Sequence, residues 1–247
     1  GMSLLDVGAR QWSDEMVEAC HVQPEWLPEL FESAEVSARI SRAGAEATGL
    51  SEGIPVAAGA GDQAAQAVGS GIIEEGRLSA TFGTSGVVFA HSRTFRVEPE
   101  GRLHAFCSAV PGEWHLMGVM LSAAGSFQWF RNTLGDLERE REAAGGEDAY
   151  TQLIELAKEV PPGAEGLLFL PYLTGERTPH PDPHARGAFI GLTLRHGKGH
   201  LVRSVLEGIT FGMRDSLTLM RELGVDPETI IVSGGGVRSP FWRQMMA

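Results

Sequence analysis

Apolar and polar residues along the chain repeat with two periods, one typical of strands and one typical of helices. Strands are predicted at residues 1–7, 54–58, 77–91 as a pair, 113–120, both ends of 166–194, and 230–232. Helices are predicted at residues 13–20, 35–50 with an end at Gly49, 122–134 with a cap at Ser122, 150–158, 201–223, and from Ser239 onward. Met16, Val17 and Cys20 should face inward, and the strand at Ile54–Ala58 should be buried. The alternation predicts an α/β protein.

The longest predicted helix, residues 201–223, has a single apolar stripe. The stripe consists of Leu201, Val205, Ile209, Met213, Leu217 and Met220. Gly208 and Gly212 lie four residues apart, which allows another element to pack closely against the side of the helix. Glu207 lies off the stripe and is interpreted as a solvated or capping acid.

Composition narrows the possible partners. The chain has 247 residues, of which 43% are hydrophobic and 32 are glycine, and its net charge is −12. An acidic chain without a basic run is not expected to bind nucleic acid. Cys20 and Cys107 lack the spacing of a metal or redox motif, which favours a reduced, cytoplasmic setting. No apolar run predicts a membrane span.

The stretch Ala57–Gly71 places one acid, Asp62, between the glycines of Gly59–Gly61 and an alanine-rich helix. The common interpretation is an N-cap, since Asp often accepts hydrogen bonds from a first helical turn. The alternative is a general base on a flexible hinge, which a substrate hydroxyl could approach closely. Local pattern alone favours the cap.

Two further glycine turns follow apolar strands. The segment Gly83-Thr84-Ser85-Gly86 is either a plain hairpin turn or an anion-binding loop of backbone amides and hydroxyls. The segment Gly234–Gly236 follows a β-branched strand and precedes a helix start at Ser239-Pro240. In α/β proteins, a strand, a glycine turn and a helix in this order let a nucleotide lie against bare backbone.

A polar loop within residues 166–194 raises the question of a metal site. It gathers Glu176, Arg177, His180, Asp182, His184 and Arg186. Three prolines and irregular spacing argue against a preformed metal cage. A solvated connection, or a loop packed against another domain or subunit, is the favoured interpretation, and no metal-ligating residue is predicted.

Taken together, these segments resemble the FGGY carbohydrate kinases, and among them most closely the xylulokinases. The segment GAFIGLTLRHGKGHLVRSVLE, residues 187–207, fits the second signature of that family. Five further segments match in order and spacing: GAGDQAAQAVGSG, SATFGTSGVVFA, LHAFCSAVPGEWHLMGVMLSAAGSFQWF, FLPYLTGERTP and SGGGVRSPFWRQMMA. The resemblance covers essentially the whole chain.

The resemblance implies an actin-like ATPase, ribonuclease H-like lobe with a mixed sheet flanked by helices, and ATP-dependent phosphorylation of a sugar such as D-xylulose. Asp62 would be the catalytic base and Gln63 a sugar contact. Gly83 and Thr84 would hold the ATP phosphates, while Gly234, Gly235, Gly236 and Arg238 would lie against the adenosine. Glu176 and Arg177 match a recurrent loop to which no catalytic role is assigned. Mg²⁺ would be carried by the phosphates. A homodimer is compatible with this family.

The chain also departs from the family pattern, because no DxGT-like phosphate loop precedes Asp62. Residues 1–54 are therefore expected to be the tail of a first lobe, and residues 55–247 a second lobe that is truncated at its end. Such a polypeptide alone should bind nucleotide weakly and transfer no phosphate. Other sugars or polyols (ribulose, gluconate, glycerol), a non-catalytic nucleotide-binding module and a structural fragment stay open as alternatives.

Overall fold

A computed structural model describes residues 3–247. The strands are β1 (Leu5–Asp6), β2 (Gln11–Trp12), β3 (Val36–Arg39), β4 (Pro55–Ala57), β5 (Arg77–Phe82), β6 (Gly86–Ser92), β7 (His104–Cys107), β8 (Trp114–Met120), β9 (Leu168–Leu170), β10 (Ala188–Ile190) and β11 (Thr229–Ser233). The helices are α1 (Asp14–Ala19), α2 (Arg42–Thr48), α3 (Asp62–Gly69), α4 (Ala124–Leu134), α5 (Asp136–Ala143), α6 (Ala149–Lys158), α7 (Lys198–Glu222) and α8 (Pro240–Met246).

The centre of the fold is a five-stranded mixed sheet in the order β11-β5-β6-β8-β7. Strands β5, β6, β8 and β7 pair antiparallel, whereas β11 joins the edge of β5 in parallel. The predicted hairpin of β5 and β6 is confirmed, with its turn at Gly83–Ser85. The mixed sheet flanked by helices is therefore confirmed as well.

The main hydrophobic core lies between one face of this sheet and helix α7. Alternate residues of β5 and β6 enter it, including Leu78 and Val88, and α7 contributes Val205 and Ile209. A Cβ on Gly208 would lie 2.3 Å from the carbonyl oxygen of Phe169, so only glycine lets β9 pack this closely on α7. The predicted close packing at α7 is confirmed. No helix within residues 3–247 combines the length and apolar character needed to cross a bilayer.

Several predictions in the first third of the chain were wrong in part. The segment 35–50 is not one helix but strand β3 followed by α2, because the Ser41 hydroxyl accepts from Gly44 N at 3.1 Å and starts the helix there. Its end at Gly49 is confirmed by a left-handed φ of 74°. Strand β4 exists, but all its residues are exposed, and within residues 3–247 it pairs only with β3.

Two smaller expectations also need correction. In α1 only Val17 is buried, while Met16 and Cys20 are exposed, because the helix has just six residues and presents one side to its neighbours. The strand predicted at residues 1–7 is confirmed for Leu5–Asp6, and residues 1 and 2 lie outside the described residues.

Candidate functional site

The two glycine turns meet at one edge of the sheet. Strands β5 and β11 are parallel neighbours with Thr81 opposite Ser233, so their carboxyl ends lie side by side. The hydroxyls of these two residues are 3.0 Å apart. The turns that follow, at Gly83 and at Gly234, therefore start from the same point of the fold.

Gly234 is required by the close approach of these turns. Its φ is 95°, and a Cβ there would lie 2.5 Å from the carbonyl oxygen of Phe82. Gly236 is buried, and a Cβ there would lie 3.0 Å from the Trp242 ring. Gly235, between them, faces open space. The turn thus exposes bare backbone at Gly235, whereas Gly234 and Gly236 are packed too closely against neighbouring atoms to carry a side chain.

Helix α4 begins against the first turn. Its leading amides at Ala123, Ala124 and Gly125 donate to the carbonyl oxygens of Thr84, Gly83 and Thr84 at 2.9–3.1 Å. A Cβ on Gly125 would lie 2.7 Å from the Thr84 oxygen. The expected side-chain cap at Ser122 was wrong, because these loop carbonyls cap the helix instead.

A cavity of about 710 Å³ opens between the turns and helices α4, α6 and α8. Five of the eight predicted site residues line it, namely Gly83, Thr84, Gly235, Gly236 and Arg238. Gly234 belongs to the same turn and packs against the carbonyl group of Phe82. The structure therefore brings together the residues that were expected to hold phosphates and adenosine.

The other wall of the cavity was missed by sequence reasoning. Helices α4 and α6 contribute Gln128, Tyr150, Thr151 and Lys158, which lie on ordinary amphipathic helices without a motif. Asp148 was the local sequence signal for this wall. Its carboxylate accepts from Thr151 N at 3.0 Å and caps the start of α6, and Asp148 itself lines the cavity.

The cavity combines an aromatic side with a few charges. The Phe127 ring centroid lies 5.3 Å from that of Tyr150 and 6.0 Å from that of Trp242. Burial raises the pKa of the Tyr150 hydroxyl. Lys158 pairs with Glu155, and Arg238 is exposed at the opposite turn. Bare backbone, aromatic rings and separate cations suit a flat, anionic ligand such as a nucleoside phosphate.

Asp62 and Gln63 lie apart from this cavity. Asp62 is the first residue of α3, with Gly61 as the N-cap, so the expected cap position was wrong by one residue. Its Oδ1 accepts from Gln63 N at 2.8 Å, and the carboxylate is exposed. Gly59 precedes it with a φ of 81°, and a Cβ there would meet no neighbouring atom. The acid is thus accessible to an approaching group.

The polar loop after β9 packs onto the end of β8. Glu176 is 4% exposed, and its Oε1 accepts from Leu121 N and Arg177 N at 2.8 Å each. Burial raises the pKa of Glu176. The Thr178 hydroxyl accepts from Val119 N at 3.1 Å. Within residues 3–247, no three His, Cys, Asp or Glu side chains lie close enough together to hold a metal ion.

The interpretation of Glu207 as a solvated or capping acid was wrong. Glu207 is 6% exposed and accepts from Arg203 Nε at 2.6 Å and from Gly163 N at 3.0 Å. The helical periodicity of the sequence correctly placed Glu207 off the apolar stripe of α7. It could not show that α6 and the loop after it cover that side of the helix.

The fold and the cavity together define a class of protein. An α/β protein that joins two glycine turns at the carboxyl ends of adjacent parallel strands, with a cavity beside them, has the architecture of a nucleotide-binding protein.

Comparison with known proteins gives the family. The C-terminal domain of the FGGY family of carbohydrate kinases matches residues 78–247, and its N-terminal domain matches residues 1–69. The chain therefore belongs to the FGGY family of carbohydrate kinases, which confirms the predicted resemblance and the actin-like ATPase fold.

Individual relatives agree with this assignment. The xylulose kinase of Escherichia coli is 41% identical over 247 residues, which is all of this chain and 49% of that protein. The gluconokinase of Bacillus subtilis is 32% identical over 246 residues, 99% of this chain and 48% of that protein. The solved xylulose kinase of Rhodospirillum rubrum aligns with a TM-score of 0.86 and 33% identity, over 99% of this chain and 47% of that one. The chain spans about half the length of the curated relatives it matches.

Proposed function

We propose that this chain is part of an ATP-dependent sugar kinase that phosphorylates a ketopentose, converting D-xylulose to D-xylulose 5-phosphate. The observation that carries the proposal is the cavity in which the two glycine turns meet. Gly83 and Thr84 would contact the phosphates, and Gly235, Gly236 and Arg238 the adenosine. The similarity to xylulose kinases supports D-xylulose as the acceptor.

In the proposed reaction, a hydroxyl oxygen of the sugar attacks the γ-phosphorus of ATP in line. The bond from that phosphorus to the β-γ bridging oxygen breaks, and ADP leaves. Asp62 accepts the hydroxyl proton, and Gln63 contacts the sugar. Asp62 is exposed at a helix start behind a glycine hinge, so a bound sugar could reach its carboxylate. Catalysis would then depend mainly on positioning and charge stabilisation.

Mg²⁺ would neutralise phosphate charge during this transfer. The residues of the cavity fit a metal that is carried by the nucleotide, because its lining offers backbone amides and hydroxyls near the turns rather than clustered carboxylates.

We also propose that the two lobes of the whole kinase meet within this chain, with residues 1–54 in the first and 55–247 in the second. The family matches change over between residues 69 and 78, so the boundary at residue 54 stays a prediction. The homodimer and the cytoplasmic location stay predictions as well.

A second acceptor deserves a direct test, because a gluconokinase matches the chain at 32% identity. The experiment replaces the matching half of the Escherichia coli xylulose kinase with residues 1–247 and measures ADP release with D-xylulose, D-gluconate and glycerol. We expect turnover with D-xylulose. A folded chimera that prefers gluconate would change the substrate, and one that releases no ADP with any of them would contradict the kinase proposal.

A further inference from the structure

A buried ion pair lies behind the cavity on helix α7. Arg203 is 7% exposed and Glu207 6%, and Arg203 Nε donates to Glu207 Oε1 at 2.6 Å. The two residues are one helical turn apart. Burying two charges is unfavourable unless each makes further hydrogen bonds, so such a pair is weak evidence for stability by itself. Its other contacts therefore decide what it does.

The first set of contacts leads to helix α6. Glu207 Oε1 accepts from Gly163 N at 3.0 Å, and Arg203 Nη1 donates to Val160 O at 3.5 Å. Val160 and Gly163 belong to the turn that directly follows α6. The ion pair thus fixes the carboxyl end of α6 to the middle of α7.

The second set of contacts leads to helix α8. The guanidinium carbon of Arg203 lies 5.0 Å from the centroid of the Phe241 ring, which is the distance of a cation–π contact. Two turns further along α7, the Thr210 hydroxyl accepts from Trp242 Nε1 at 3.0 Å. The same stretch of α7 therefore holds α8 as well.

Helices α6 and α8 form facing walls of the cavity. Tyr150 and Lys158 line it from α6, and Pro240 and Trp242 from α8. We propose that the Arg203–Glu207 pair is a positioning device that sets the distance between these walls and thereby the fit of the nucleotide. The proposal rests on the proposed function of the cavity. A directional pair with three further partners, Gly163, Val160 and Phe241, specifies geometry, whereas an apolar pair would fill the same space without fixing it.

The test replaces the pair by apolar residues of similar volume, in the double variant Arg203→Met/Glu207→Leu. Such replacements often preserve stability, so loss of folding does not obscure the result. The matched control is Arg102→Met/Glu98→Leu. Glu98 is also buried, pairs with Arg102 at 2.6 Å four residues away, and accepts from backbone amides, but neither residue lines the cavity.

Two measurements are made on the 247-residue chain. Hydrogen exchange follows the amides of α6 and α8, and calorimetric titration follows ADP binding. We expect the Arg203/Glu207 variant to exchange faster in both helices and to bind ADP about tenfold more weakly. The Arg102/Glu98 variant should match the wild type in both measurements.

The outcomes separate this inference from the proposed function. If the wild-type chain binds no ADP, the nucleotide cavity is contradicted, and the exchange of α6 and α8 still decides whether the pair positions them. Wild-type exchange in both helices of a folded Arg203/Glu207 variant overturns the inference, even if ADP binding weakens. Faster exchange in both helices, relative to the control variant, supports it.

Discussion

The cavity and the start of α3 are built in opposite ways. The cavity is assembled from one sheet and three helices, and glycine is required beside it, because a Cβ on Gly234 would lie 2.5 Å from the carbonyl oxygen of Phe82. Asp62 projects from an exposed helix start, with one hydrogen bond to its own neighbour. Asp62 falls in the match to the N-terminal family domain and the cavity in the match to the C-terminal one, although both lie within the proposed second lobe. The proposed nucleotide binding and the proposed proton transfer therefore rest on different residues, and substitutions in one region should leave the other intact.

The largest expected effect comes from Asp62→Asn. In the chimeric kinase it should lower turnover about a thousandfold, because the proposed general base is lost. ADP affinity of the chain should not change, since Asp62 does not line the cavity. Asp14→Asn is the matched control, because Asp14 is also an exposed first residue of a helix. Turnover that survives Asp62→Asn would contradict the assignment.

The next effect separates two neighbouring glycines of the cavity. Gly234→Ala should lower the free energy of unfolding by about 2–3 kcal/mol, because its backbone is left-handed and its Cβ would overlap the Phe82 carbonyl. Gly235→Ala should lower it by no more than about 0.5 kcal/mol, since a Cβ there meets no atom.

Denaturant unfolding and ADP titration check these two variants together. Gly235→Ala should weaken ADP binding although the fold is intact, because the methyl group would occupy backbone surface proposed to face the adenosine. If Gly235→Ala binds ADP like the wild type, adenosine does not lie against this turn.

A smaller effect is expected on the α3 side of the sheet. His115 is 4% exposed and stacks on Phe89 at 4.4 Å, and Phe89 packs with Ala67 of α3. Burial, and then the neighbouring His91, lower the pKa of His115 to about 4 from an ordinary 6.5. As the pH falls below 6.5, His115 takes up a proton in the unfolded chain, whereas in the folded chain it stays neutral until the pH approaches 4. His115 should therefore reduce the free energy of unfolding by about 1 kcal/mol for each pH unit down to its folded pKa.

Unfolding measured at pH 7 and at pH 5 tests this expectation. His115→Phe should reduce the loss of stability between the two conditions, since the ring stays among aromatic neighbours and no longer titrates. His184→Phe is the control at an exposed histidine. An unchanged pH dependence in His115→Phe would show that other groups cause the loss.

Sequence pattern predicted the features that local chemistry decides. The β5–β6 hairpin, the start of α8 at Ser239-Pro240 and the end of α2 at Gly49 all depend on residues within a few positions of one another. The expected roles of Gly83 and Gly234 came from the family resemblance, and the structure adds that the two turns lie beside the same cavity.

The rest depended on partners that are distant in sequence. Glu207 was misjudged because its partner Gly163 lies 44 residues away. Gln128 and Lys158 carry no motif, and only the packing of α4 and α6 beside the turns gives them a place in the cavity. An apolar run such as Ile54–Ala58 indicates that its side chains could be buried. It does not indicate whether a neighbouring element packs over them.

The parallel pairing of β11 with β5 has a consequence for how the molecule is made. Thr81 and Ser233 are 152 residues apart, so during synthesis β5 emerges long before its outer neighbour. Until β11 docks, β5 is an open sheet edge of the kind that recruits other chains into aggregates. The cavity is complete only after β11 has docked. A nucleotide that binds there would therefore favour the docked state by mass action, and its concentration during translation would influence how much of the chain folds correctly.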